Sequence, residues 1–166
     1  MKKASKPRTA SARYLTTAAI IAALYVVFTG LSAALGLASG AIQVRLSEAL
    51  TVLPYFTPAA VPGVTVGCLL ANLLTGAPLP DVIFGTLASF LGVLGASFLR
   101  KKKYLIALPT ILSNAIIIPL VLQYAYGIKD AFWYLMLTVG AGEIISAGIL
   151  GTLLLQVLQK RKLFRQ

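Results

Sequence analysis

Glu143 is a carboxylate set in the middle of an apolar run. It falls twelve residues into the last hydrophobic segment, about 18 Å along a helix, and on one helical face with Gly140 and Ala147. A charged group at mid-bilayer costs roughly 2.5 to 3.5 kcal/mol on insertion scales, so a carboxylate kept there points first to solute or proton handling. Asn114 stands about ten residues into the preceding apolar segment, counted from the other side, and so reaches a similar depth. Asn72 lies near the outer end of a third segment, while Gln43, Arg45, Glu48 and Asp81 sit at segment ends on that same side. The polar set therefore opens toward one face of the membrane. Each member also has a plainer reading. Glu143 and Asn114 can satisfy each other or the carbonyls freed by Pro119. Arg45 and Glu48, three positions apart, suit a helical salt bridge. Asp81 suits a helix cap or the positive end of a helix dipole, and Asn72 can join helices.

What is missing narrows the chemistry. The chain has no histidine and a single cysteine, Cys68, which excludes disulfide frameworks, Cys/His zinc sites and imidazole acid–base catalysis. It has no G-x-x-x-x-G-K-[ST] loop to cradle nucleotide phosphates, and no familiar nucleophile and base pair. No catalytic residue, metal or cofactor is expected. A polar, outward-opening pocket without catalytic groups favours solute binding and transport, with any ATP hydrolysed by partner chains.

The elements that must position these residues are membrane helices. Hydrophobic residues make up 58% of the 166 and charged ones 11%, with a mean hydropathy of +0.89, against roughly 45 to 50% and about 25% in soluble domains. Of 15 Lys and Arg residues, 13 fall in three blocks, at 2–13, 100–103 and 160–165. A nucleic-acid surface has no need of that segregation, but basic loops retained in the cytoplasm do. All three blocks then share one side, an even number of spans separates them, and Arg45 and Lys129 are left outside. The reading is an all-α, six-helix transmembrane bundle in a prokaryotic cell membrane, both termini cytoplasmic, with a basic leader at 1–13, the bundle at 14–158 and a basic tail at 159–166. The first apolar run is too long for a signal-peptide core and is kept as a span.

The expected spans are 14–38, leaving the membrane at Ala38, Ser39 and Gly40; 46–56, short or tilted and ended by Pro54 and Pro58; 62–74; 81–99; 104–126, with Pro109 and Pro119 inside; and 131–158. Tyr124, Tyr126, Trp133 and Tyr134 cluster as an outer aromatic belt. Helices in lipid approach through small side chains. Stripes of these run along span one (Ala18, Ala22, Thr29, Ala33, Gly36), span four (Gly85, Ser89, Gly92, Ala96) and span six (Gly140, Ala147, Gly151). Most of this reads as internal packing; the sharper reading is that one stripe faces a different protein.

With these residues in place the sequence resembles the QueT family of queuosine-precursor transporters, substrate-binding S components of energy-coupling-factor (ECF) transporters. The resemblance rests on Ile42-Gln43-Val44-Arg45-Leu46-Ser47-Glu48-Ala49-Leu50 with Leu53-Pro54, on Gly67-Cys68-Leu69-Leu70-Ala71-Asn72, on Asp81-Val82-Ile83-Phe84-Gly85-Thr86-Leu87-Ala88, on Leu108-Pro109-Thr110-Ile111-Leu112-Ser113-Asn114-Ala115, and on Gly142-Glu143. It implies a six-helix protein that captures a micronutrient outside and associates with one transmembrane coupling protein and two ATPases. The family's alanine motif for the coupling protein maps onto Ala18 and Ala22 or onto Ala19 and Ala23. The implied ligand is a 7-deazaguanine (preQ1, preQ0, queuine or queuosine). Glu143 or Glu48 would take its N1–H and N2–H edge, a charge-assisted bidentate contact. Asn114 or Asn72 would read O6, and an aromatic among Tyr124, Tyr126 and Trp133 would cover the ring. The rivals are an S component for another vitamin, an ion-coupled secondary transporter with Glu143 as proton site, and a non-transporting scaffold.

Overall fold

The computed structural model describes residues 8–37 and 42–161. Among them every regular element is helical: α1 (Arg8–Ala34), a 3-10 helix (Leu46–Tyr55), α2 (Ala60–Leu74), α3 (Leu79–Phe98), α4 (Leu108–Ala125) and α5 (Phe132–Glu143). The last runs without a break through a π-helical stretch (Ile144–Leu150) into α6 (Gly151–Arg161). Four runs are long and apolar enough to cross a membrane: Ser11–Ala34, Leu79–Phe98, Leu108–Ala125 and Phe132–Arg161. The 3-10 helix and α2 are shorter, at 10 and 15 residues.

Element boundaries follow local chemistry. Helix α1 starts at Arg8, so residues 8–13 of the expected leader are helical, while 1–7 lie outside the described residues. It closes in a turn where Gly36 takes φ 69°, Gly36 donates to the Ala33 carbonyl and Leu37 to the Ser32 carbonyl, the two bonds of a glycine-ended helix. The expected exit at Ala38, Ser39 and Gly40 lies outside the described residues. Helix α4 begins at Leu108 rather than 104, because Pro109 occupies its first turn, where a missing N–H costs nothing. Pro109 thus opens the helix instead of interrupting it, and only Pro119 lies in its interior.

The 3-10 helix is the hub of the bundle. It touches α1, α2, α3, α6 and the π-helical stretch, and every residue from Ser47 to Pro54 is buried. With three residues per turn, side chains at i and i+3 eclipse, so the segment presents three rows. Leu50 and Leu53 enter one core with Ile21, Tyr25, Val64 and Val93. Val52, with Tyr55 packed beside it, enters a second with Ala96, Ile106, Ala147 and Leu155. The third row, Glu48 and Thr51, is polar, and the Thr51 hydroxyl donates to the Glu48 carbonyl at 2.7 Å. That bond competes with α-helical pairing, and Pro54 withdraws a further N–H. At about 2.0 Å rise per residue the tighter winding also carries ten residues roughly 20 Å, a third further than an α-helix would.

Small residues set the helix spacing. Gly63 and Gly67 of α2 lie so close to α1 that a Cβ at Gly67 would come 2.7 Å from Tyr25 Cβ, and one at Gly63 2.8 Å from the Ala18 carbonyl oxygen. Ala18 and Ala22 therefore meet α2, while Ala19 and Ala23 face outward. The buried line on α1 runs through Ala22, Tyr25, Thr29 and Ser32. Ala33 and Gly36, expected to continue it, are exposed. The α3 stripe of Gly85, Ser89, Gly92 and Ala96 is buried as expected, with Gly92 against Thr110 of α4 and the Ser113 hydroxyl donating to the Ala88 carbonyl.

The 100–103 turn and the end of α6 meet at one end of the described residues. Lys103 Nζ donates to Gln159 Oε1 at 2.9 Å, and Gln159 Nε2 to the Tyr55 hydroxyl at 2.7 Å, which joins the 100–103 turn to the end of α6. Thr17 near the start of α1 and Leu158 near the end of α6 line one groove.

Candidate functional site

A cleft between the 3-10 helix, α3, α4 and α5 is lined by Gln43, Arg45, Glu48, Ser89, Asn114 and Glu143. Gly85, Ile118 and Val139 complete its walls, around a cavity of about 30 Å³. Four helices and the segment just ahead of the 3-10 helix supply the polar groups. Glu48 comes from the polar row of the 3-10 helix and is 1% exposed. Its Oε1 accepts from the Tyr25 hydroxyl and, at 3.5 Å, from Ser89, while its Oε2 has no partner. Glu143 closes α5 where the winding changes to π, and is 8% exposed. Asn114, 3% exposed, lines the same cleft as Glu143, and Glu143 Oε2 is unpartnered. Buried polar atoms are nearly always satisfied, so two orphaned carboxylate oxygens on one cleft mark a place prepared for donors.

The strap before the 3-10 helix lies over this site. Arg45 N–H donates to Ser146 Oγ at 3.1 Å, Leu46 N–H to Ser32 Oγ at 2.8 Å, and Val44 N–H to the Leu37 carbonyl at 2.8 Å. Gly142 packs directly on the Gln43 carbonyl oxygen, in the place any side chain would need. Arg45 is extended (φ −106°, ψ 109°) just ahead of the helix. The expected salt bridge of Arg45 with Glu48 is therefore not formed: the arginine has not entered the helical repeat, and Tyr25 and Ser89 hold the carboxylate instead. Outside the cleft is a vestibule of about 300 Å³ that shares Gln43 and Val139 with it and is also lined by Tyr134, Asp130 and Thr138. Gln43 stands between the two spaces.

Other expected site residues lie elsewhere. Asn72 does not line the cleft. Its amide donates to Cys68 Sγ at 3.7 Å and to the Asp81 carbonyl at 3.4 Å, tying α2 to the start of α3. Asp81 is in the first turn of α3, but its side chain makes no cap. It accepts from the Tyr126 hydroxyl at 2.7 Å, latching α3 to the end of α4. Burial, then the bond to Asp81, pushes that hydroxyl up to about 12, so it remains a donor at any physiological pH. Tyr124 and Trp133 are 87% and 69% exposed. Tyr124 borders an apolar hollow between α3 and α4, and neither reaches the polar cleft. The sequence reading missed Tyr25, Ser146 and Gly142. Tyr25 lies on the same helical line as Ala18, Ala22 and Thr29, a signal the small-residue pattern passed over.

Among the described residues no group of three or more Cys, Asp and Glu side chains is placed to hold a metal. Apolar helical runs of membrane-crossing length, with a polar cleft among them, define a multi-pass membrane protein. The chain belongs to the QueT transporter family, whose sequence model matches residues 15–160. It is also similar to the queuosine precursor transporter QueT of Lactococcus lactis subsp. cremoris (strain MG1363), 41% identical over 87 residues. The match takes in 48% of this chain and 49% of that protein, so the chain spans about half the length of the curated relative it matches. No solved structure matches it.

Proposed function

We propose that this chain is the substrate-binding S component of an ECF transporter, capturing a queuosine precursor outside the cell membrane for uptake driven by ATPases on partner subunits. One observation carries the reading: Glu48 and Glu143, both buried, turn an unpartnered oxygen each into a cleft that holds Asn114 and Arg45 and no catalytic set. A 7-deazaguanine presents adjacent N–H donors and a flat apolar face, which suits directed polar groups between apolar walls. Here Asn114 donates to O6, and Ile118 and Val139 flank the ring in place of the aromatics. Entry is through the vestibule, past Gln43.

The 3-10 helix and α2 bring the crossings to six, with the basic blocks and both termini in the cytoplasm. The coupling protein docks on the outward face of α1 at Ala19 and Ala23, since Ala18 and Ala22 are occupied by α2. Purifying the chain with its co-eluting proteins and identifying partners and bound heterocycle by mass spectrometry tests this. A deazaguanine with a membrane coupling protein and two ATPases is the expected eluate. Recovery of the chain alone, with no ligand-dependent rise in melting temperature across a deazapurine panel, would sink it.

A further inference from the structure

The two carboxylates are not equivalent, and the difference specifies the ligand further. Glu48 Oε1 already accepts from both Tyr25 and Ser89, which leaves Oε2 as its one free acceptor. Glu143 shares the cleft with Asn114 and has an open Oε2. A bidentate ring edge needs spare lone pairs on both oxygens of one carboxylate. Glu143 meets that need and Glu48 does not. A neutral deazaguanine would satisfy Glu143 and leave Glu48 Oε2 buried without a donor. Charge points the same way: the cleft lining holds one cation, Arg45, against two carboxylates.

We infer that the ligand carries an alkylammonium group beside its flat donor edge, with Glu143 taking the edge and Glu48 the ammonium, so that the site selects cationic 7-aminomethyl-7-deazaguanine over neutral 7-substituted analogues. This rests on the deazaguanine reading given above. A charge-assisted hydrogen bond is strong where water is excluded, and a single free oxygen is matched by a point donor such as an ammonium.

The experiment is calorimetric titration of the purified full chain with 7-aminomethyl-7-deazaguanine and 7-cyano-7-deazaguanine, with and without sodium. The aminomethyl compound is expected to bind at least about tenfold tighter. Glu48→Gln is expected to bring the two within about threefold, while Glu143→Gln weakens both. The N-acetylated amine, which keeps the ring edge and loses the charge, gives the same contrast on the wild-type chain without relying on a variant that folds. Equal affinities in the wild type, an unchanged ratio in Glu48→Gln, or a neutral ligand that matches the cation once sodium is added would each overturn the inference while leaving a deazaguanine site intact. Failure of every deazaguanine to bind would remove the underlying reading, and the inference with it.

Discussion

Glu143 and Asn114 were legible in the sequence as a pair because depth along an apolar run can be counted, and a carboxylate at mid-span must have a partner. Glu143→Gln is expected to weaken ligand binding by at least about tenfold, and affinity within a factor of two of wild type would show that another group reads the base. Tyr25 was not legible, since a phenol on an apolar helix reads as packing until the helix facing it is known. Tyr25→Phe frees Glu48 Oε1 as a second open acceptor and should alter binding without disturbing the two cores. Calorimetry together with an unchanged melting temperature would separate those effects. The Tyr126 hydroxyl, raised from 10.0 to about 12, contributes its latch to Asp81 in full below pH 10. The contribution is lost as the pH climbs through 12, so stability between pH 6 and 9 should not differ in pH dependence between wild type and Tyr126→Phe.

Elements were read more securely than their winding. The boundaries 46–56, 81–99 and 131–158 fall within a few residues of the observed helices because Pro, Gly and charged clusters punctuate apolar runs. The 3-10 and π geometries were not foreseen, since hydropathy does not record hydrogen-bond register. They arise from Thr51 and Pro54 in one case, and in the other the π-helical stretch holds Ser146 against the Arg45 N–H. Close approach makes glycine the controlling residue at two contacts. Gly142→Ala would drive a methyl into the Gln43 carbonyl, and Gly67→Val would part α1 from α2 beside Tyr25. Each is expected to cost about 1 to 3 kcal/mol, the usual range for overpacking, seen as a lower melting temperature in detergent. Only the first should also loosen ligand binding, because the Gln43 strap borders the cleft and Gly67 does not.

At the scale of the whole molecule, charge placement carries the orientation. The 100–103 block and the end of α6 are bonded to each other through Lys103 and Gln159, a proximity that segregation of Lys and Arg along the chain had implied. In a Cys68→Ser background, a cysteine at Lys102 is expected to react with a membrane-impermeant maleimide only after the cell is opened, and one at Lys129 before. The reverse pattern would invert the proposed topology. Ala19→Trp with Ala23→Trp should abolish co-purification of a coupling protein and leave ligand affinity unchanged, since neither residue touches the cleft.

The π-helical stretch between Glu143 and Gly151 has a consequence for how the chain tolerates change. A π turn amounts to one residue more than an α turn holds, and one residue corresponds to about 100° of rotation about the axis. Deleting a single position from 144–150 lets that turn wind as α, so Leu155 keeps its place in the core it shares with Val52, whereas inserting one swings Leu155 and Lys160 by about 100° relative to the carboxylate. Single-codon insertions in this stretch should therefore be more damaging than single-codon deletions.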